Sequence, residues 1–236
     1  MGRRGALIVF EGCDRAGKTT QCKMLVDALN KRNIRAEYMN FPDRSTAIGK
    51  IISDYLTKKI ELPDKAVHLL FSANRWELEP IIRNKLASGV SLIVDRYSYS
   101  GVAFSAAKKG MDLKWCWNPE IGLPEPDAVL LLNLKEEVSS KRGGFGQERY
   151  EVSDFQRKVK SNYISLKTPL WQFIDADKTV EDLHQEILST FNTIYKNSNG
   201  KPIQVLEENP ELDNCGKSLK DRDENTNPNI IGNTYN

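Results

Sequence analysis

Ala6-Leu7-Ile8-Val9-Phe10 runs through Glu11 into Gly12-Cys13-Asp14-Arg15-Ala16-Gly17-Lys18-Thr19, and Thr20 through Leu29 then carries a helical pattern. Five apolar residues read as a buried strand, and the eight from Gly12 to Thr19 match the phosphate-binding pattern GxxxxGK[ST] in full. Each part has a physical task. The glycines let successive backbone N–H groups turn toward phosphate oxygens, and the following helix N-terminus adds its partial positive charge. Lys18 is placed to reach the outer phosphates and the Thr19 hydroxyl to ligate a divalent cation. The strand–loop–helix context therefore assigns Gly12, Ala16, Gly17, Lys18, Thr19 and Thr20 to a bound nucleotide.

Outward from this loop the apolar runs continue as Ala36–Asn40, Ser91–Val94, Ala128–Leu134 and Trp171–Ile174. Helical periods lie between them, clearest over Thr20–Lys31, Ser45–Lys59 and Lys65–Ser88. Continuous apolar strands alternating with helices predict an α/β fold, a doubly wound five-stranded parallel sheet flanked by helices, over residues 1–197. Ligands in such sheets sit beyond the carboxyl ends of the strands. Asp95-Arg96-Tyr97 ends one of those strands, so Asp95 is expected beside the phosphate loop as a second metal-organising oxygen, with Arg96 next to it to bridge anionic groups.

The 236 residues, 39% hydrophobic and 28% charged, suit one substantial domain with a core. No apolar run approaches the roughly 20 residues of a membrane span, and the net charge of +2 gives no bulk attraction to nucleic acid. No membrane or nucleic-acid partner is expected. The basic start Met1-Gly2-Arg3-Arg4 is followed by too short an apolar run for a signal peptide. Four cysteines without CxxC spacing point to a reducing compartment, the cytoplasm, with the nucleus left open. Beyond Asn197 the chain carries seven acidic against four basic residues and no apolar period. Residues 198–236 are therefore expected to be a polar C-terminal tail without packed structure. A GTPase reading fails, because no NKxD signature is present and Asn133-Leu134-Lys135-Glu136 lacks its order. Loop arginines at positions 15, 44, 75, 142 and 149 suit a transferase that clamps two anionic substrates.

The sequence resembles thymidylate kinases of the eukaryotic type, a family of P-loop nucleoside monophosphate kinases, from Arg3 to about Tyr195. The resemblance rests on Arg3–Val9, Gly12–Thr19 with its Asp-Arg-Ala interior, Phe41-Pro42-Asp43-Arg44-Ser45-Thr46, and His68 through Glu77. It continues in Asp95-Arg96-Tyr97 with Ser100 through Phe104, Gly122 through Asp127, and Lys141 through Glu151. It implies transfer of a phosphoryl group from ATP to dTMP with Mg²⁺, giving dTDP for dTTP synthesis, by a homodimer; weaker turnover of dUMP is expected besides, because a thymine methyl discriminates by only about 1–3 kcal/mol. It further implies that Asp14 holds the deoxyribose 3′-hydroxyl and that Arg15, Lys18, Asp95 and Arg96 form the catalytic set. Arg15 addresses the ATP phosphates, and Thr19 and Asp95 serve the metal. Arg44 binds the dTMP phosphate, with Phe41 and Leu56 walling the nucleoside. Phe71 stacks on thymine, Arg75 donates to its O4 edge, and Arg96 bridges both phosphates. Ser100, Phe104 and Tyr150 complete the acceptor pocket. Residues 141–151 are the implied lid, with Arg142 over adenine.

Phe71 and Arg75 are four apart, hence on one helix face, as an aromatic and a forked donor reading a base require. The same spacing also suits a core aromatic. Gly143, Gly144 and Gly146 fit a loop that moves. Cys13, among N–H dipoles and near Lys18, is expected to be unusually acidic and open to oxidants and alkylators. Trp115-Cys116-Trp117, His68 and His184 read as packing residues. Two alternatives fit the phosphate loop. One is a kinase for another nucleotide or a deoxynucleoside, which in the latter case needs no Arg44 and Arg96 clamp. The other is a non-catalytic nucleotide-dependent module, which does not need Arg15, Lys18, Asp95 and Arg96 together.

Overall fold

A computed structural model of the chain describes residues 4–135, 138, 149–150, 152–198, 201–209 and 212. Five strands, β1 (Leu7–Glu11), β2 (Ala36–Asn40), β3 (Ser91–Asp95), β4 (Ala128–Asn133) and β5 (Trp171–Asp175), form one parallel sheet in the order β2-β3-β1-β4-β5. Strand β1 is central and wholly buried, which is why it reads as an unbroken apolar run. Its ladder extends to Glu11 opposite Leu131, one residue past the apolar stretch.

Successive side chains of a strand point to opposite faces. Leu7 and Val9 join one core with residues of α3 (Asp64–Ala87), α4 (Ser98–Ala106), α5 (Leu113–Trp117) and α6 (Ser153–Ser165). Ala6, Ile8 and Phe10 join a second core with α1 (Lys18–Lys31) and α7 (Val180–Asn197). The sheet is thus covered on both faces, the expected doubly wound fold. Helix α2 (Ala47–Leu56) is shorter than the expected Ser45–Lys59, because Thr46 stops it at the N-terminus, its Oγ1 accepting from the Gly49 N–H at 2.9 Å. No described helix is long and apolar enough to cross a membrane.

The expectation of an unpacked tail from 198 onward is corrected over residues 201–209. Val205 bridges Pro124 in antiparallel sense. The Leu206 N–H donates to Leu123 O and its carbonyl accepts from Gly122 N–H, both at 2.8 Å, while Glu125 N–H donates to Gln204 O at 2.9 Å. The Leu206 side chain is buried in the core beside Trp117, and burying a leucine stabilises by about 2 kcal/mol. Ile203 packs against the same core, so two apolar residues within a polar stretch, together with the backbone groups of residues 122–125 that receive it, dock the segment.

Candidate active site

Two backbone turns and one buried carboxylate aim the site. Strand β1 delivers the phosphate loop, and Gly12 at its start has φ +139°, with Leu132 O 2.6 Å from where a Cβ would stand. Any other residue is strained there and collides with β4. Strand β3 ends in Asp95, and Arg96 follows in the left-handed region at φ 68°. That turn throws the Arg96 side chain back over the loop. Glu11, fully buried at the end of β1, fixes it: its Oε1 accepts from the N–H groups of Tyr97 and Ser100, both at 3.0 Å. Its Oε2 accepts from the Ser100 hydroxyl and from Tyr163 Oη at 3.0 Å. Burial raises the Glu11 pKa above its ordinary value, and the bonds from Ser100 and the charge of Arg96 work against that shift.

One cleft of about 620 Å³ opens over these turns. Asp14, Arg15, Gly17, Lys18, Thr19, Thr20, Asp95 and Arg96 line its phosphate side, and Phe41, Arg44, Leu56, Phe71, Arg75, Ser100, Phe104 and Tyr150 line the rest. Sixteen expected residues scattered from position 14 to 150 thus meet at one place. Gly12 and Ala16 lie behind the lining, buried. Arg142 and residues 141–148 and 151 of the expected lid lie outside the described residues.

Within the cleft, Lys18 Nζ donates to Gly12 O at 3.1 Å and Cys13 O at 2.8 Å, curling the loop around its own ammonium. Burial, followed by the neighbouring Arg96 charge, lowers its pKa. Arg96 forms an ion pair with Asp14 and donates to Gly12 O at 3.3 Å and Ser100 Oγ at 3.2 Å. Burial opposes its charge, but Asp14 and the other anionic neighbours outweigh burial and hold its pKa above the ordinary value. The Thr19 hydroxyl donates to Asp95 Oδ2. These are hard oxygen donors at the mouth of the phosphate loop, which suit Mg²⁺. Arg96 also stands over Phe104, 5.1 Å from its ring centroid, so its guanidinium touches both halves of the cleft.

Several contributors were not legible beforehand. Gln156 on α6 pins Asp14 from both sides, its Nε2 donating to Oδ2 at 2.7 Å and its Oε1 accepting from Asp14 N–H at 3.1 Å. Tyr38 and Asn40 at the end of β2 line the cleft, with Tyr38 Oη 3.4 Å from Asp95 Oδ2. Glu11 carried the clearest signal, a carboxylate closing an apolar strand before a phosphate loop; Gln156 carried none. The expected acidity of Cys13 is corrected: burial pushes its thiol up, outweighing Lys18 and Arg96, and its Sγ lies 3.7 Å from Gln156 O. His68 is a packing residue as expected, buried with Nδ1 2.8 Å from Ser105 Oγ and Nε2 2.9 Å from Cys116 O.

Comparisons with known proteins agree with this geometry. Residues 10–187 match the family model described as thymidylate kinase. A thymidylate kinase of Danio rerio is 51% identical over 207 residues, covering 86% of this chain and 98% of the relative. That of Homo sapiens is 50% identical with the same coverage. Among solved structures, thymidylate kinase from Candida albicans superposes with a TM-score of 0.80 at 39% identity, covering 88% of this chain and all of that one. The match begins within β1 and runs through the loop, the arginine-bearing turns and both walls of the cleft, and by it the chain belongs to the thymidylate kinase family.

Proposed function

We propose that this chain transfers the terminal phosphoryl group of ATP to dTMP, giving dTDP and ADP. The observation that carries the reading is that Asp14, Arg15, Gly17, Lys18 and Thr19 of the phosphate loop share one cleft with Phe71, Arg75, Arg44 and Arg96. A phosphoryl transferase of this kind works by holding two anions in line and stabilising the charge of the moving group. Lys18 and Arg15 attend the ATP phosphates, Arg44 the dTMP phosphate, and Arg96 the space between them. Asp14 accepts from the 3′-hydroxyl; Arg96 and Gln156 each occupy one of its carboxylate oxygens and leave further lone pairs open. Phe71 stacks on the base and Arg75 donates to its O4. Phe41 and Leu56 wall the sugar and base, and Ser100, Phe104 and Tyr150 close the far side. Thr19 and Asp95 would hold Mg²⁺, which when bound neutralises phosphate charge.

The protein acts as a homodimer in this reading. Leu69 and Trp76 lie seven apart on one face of α3, 48% and 40% exposed, and Ile51 of neighbouring α2 is exposed too. A second copy covers this apolar surface, and the sedimentation mass of Leu69→Glu against the parent checks it. The described cysteines Cys13, Cys22 and Cys116 are free thiols, as suits the cytoplasm.

Incubation with Mg-ATP and each of dTMP, dUMP, UMP, CMP and thymidine, following ADP, tests the acceptor. Turnover is expected on dTMP and more weakly on dUMP, since a methyl group is worth about 1–3 kcal/mol of discrimination. Preference for thymidine or a ribonucleotide overturns the assignment of Arg44, Phe71 and Arg75.

A further inference from the structure

Arg75 is 1% exposed and Glu120 is 0% exposed. The guanidinium engages the carboxylate through both prongs of its fork, Nε donating to Oε2 at 2.6 Å and Nη2 to Oε1. A buried ion pair is a poor source of stability, since desolvating two charges offsets most of their attraction and an apolar pair of equal volume does as well. Its distinctive product is a fixed geometry. Nε and Nη2 are committed to Glu120, whereas Nη1 makes no hydrogen bond among the described residues, in a side chain that lines the cleft.

The slot that receives the guanidinium is itself built. At Gly101 on α4, a Cβ would stand 2.5 Å from Arg75 Nη2 and 3.0 Å from Cζ. Only a residue without a side chain lets the flat group lie there. Glu120 closes a one-turn 3₁₀ helix, Asn118–Glu120. The preceding carbonyl, Pro119 O, accepts from Ser72 Oγ at 2.9 Å and Trp76 Nε1 at 2.7 Å, two α3 residues that bracket Arg75. The C-terminal segment braces the turn on both sides. Trp117 Nε1 donates to Glu207 O, and Gly122 N–H donates to Leu206 O, each at 2.8 Å.

We propose that Glu120 is a positioning residue that locks the Arg75 guanidinium so that its remaining N–H edge admits a carbonyl and repels an amino group at position 4 of the acceptor pyrimidine, with residues 204–207 bracing Glu120 in place. This rests on the reading of Arg75 as the base-facing donor. Arginine has donors and no acceptor. Against the 4-amino group of cytosine, a locked guanidinium leaves donors facing donors. One that swings freely retreats and lets the wrong base in. Rejection thus requires the lock and not the arginine alone.

The test measures kcat and KM for dTMP, dUMP and dCMP in the parent, Arg75→Ala, Glu120→Gln and the double variant. Glu120→Gln is isosteric but turns one carboxylate oxygen into a donor, breaking the fork. It is expected to raise KM for dTMP and dUMP about tenfold, as loss of a charged hydrogen bond does. Saturated kcat and the KM for ATP stay within about twofold, and the preference for dTMP over dCMP shrinks by about tenfold. In the Arg75→Ala background Glu120→Gln is expected to change neither KM nor base preference further, since it acts on the base through Arg75, while it relieves the buried carboxylate that Arg75→Ala strands. An unchanged dTMP KM in Arg75→Ala overturns the base reading and this inference with it. A raised KM there beside an unchanged dTMP:dCMP preference in Glu120→Gln overturns the positioning role alone. Should Glu120→Gln fail to fold, Glu120→Asp carries the question, since it keeps a charge opposite the buried guanidinium but withdraws the carboxylate by one methylene from the fork. Loss of dCMP rejection supports the lock, and intact rejection overturns it.

Discussion

Arg149 lies over the Tyr55 ring, its guanidinium carbon 4.1 Å from the ring centroid, and joins the far wall of the cleft to the end of α2. Its Nε donates to Tyr55 O at 3.0 Å and its backbone N–H to Leu56 O at 3.2 Å, while its fork grips Glu61. Leu56 and Tyr150, both in the cleft lining, are therefore held by one residue between them. Arg149→Ala is expected to raise the dTMP KM by about three- to tenfold, in line with a cation–π contact and a forked ion pair. Arg149→Lys is expected to recover only part of it, because an ammonium has no fork. Parent-like kinetics in Arg149→Ala would separate this contact from the acceptor pocket.

Glu11 gives a prediction whose sign follows from its burial. A carboxyl whose pKa is raised by folding contributes stability that is fully present below its ordinary value of 4.5 and is lost as pH rises through the raised one. Glu11→Gln stays neutral and keeps an acceptor. Its stability relative to the parent is therefore expected to climb as pH rises from about 4.5, read as urea midpoints across the range. Glu11→Ala strands the Tyr97 and Ser100 N–H groups and the Tyr163 hydroxyl and is expected to cost at least about 2 kcal/mol. A stability difference between the parent and Glu11→Gln that does not vary with pH refutes the account.

The alternation of apolar runs with helical periods read out the sheet closely, because buried parallel strands need no polar positions and leave uninterrupted stretches such as Leu7–Phe10 and Ala128–Leu132. Lys18, Thr19 and Asp95 were legible on chemical grounds, through a loop pattern and a strand end. Arg44 and Arg75 were legible only as spare cations for an anion clamp; their separate roles, and Phe71 altogether, came from the resemblance, because type and spacing suit a turn and a core helix equally. Glu120, Gln156 and the docking of Leu206 escaped for a different reason. Each acts through a partner 45 to 142 residues away or through backbone groups, and no local pattern encodes such pairings.

On the proposed role of Lys18, ATP affinity is expected to become pH-dependent earlier than a free lysine would make it. Its ammonium is the form that attracts phosphate, and burial together with Arg96 moves deprotonation below 10.5. The dissociation constant of a non-hydrolysable Mg-ATP analogue is expected to rise with pH before 10.5 is reached, and titration calorimetry at stepped pH follows it. A flat profile up to that value would show that the loop carbonyls hold Lys18 fully charged.

Cys13 is expected to react with iodoacetamide at neutral pH more slowly than a free thiol, because burial disfavours the thiolate. Cys13→Ser should then leave the rate of alkylating inactivation unchanged. Protection by that substitution would mean that the loop opens enough to ionise the thiol.

Residues 204–207 are translated after every residue that lines the cleft. On the proposed role of the brace, a change of length or sequence around Leu206 is expected to adjust which pyrimidine is accepted and to spare the phosphate side of the cleft, whose lining contains none of residues 204–207.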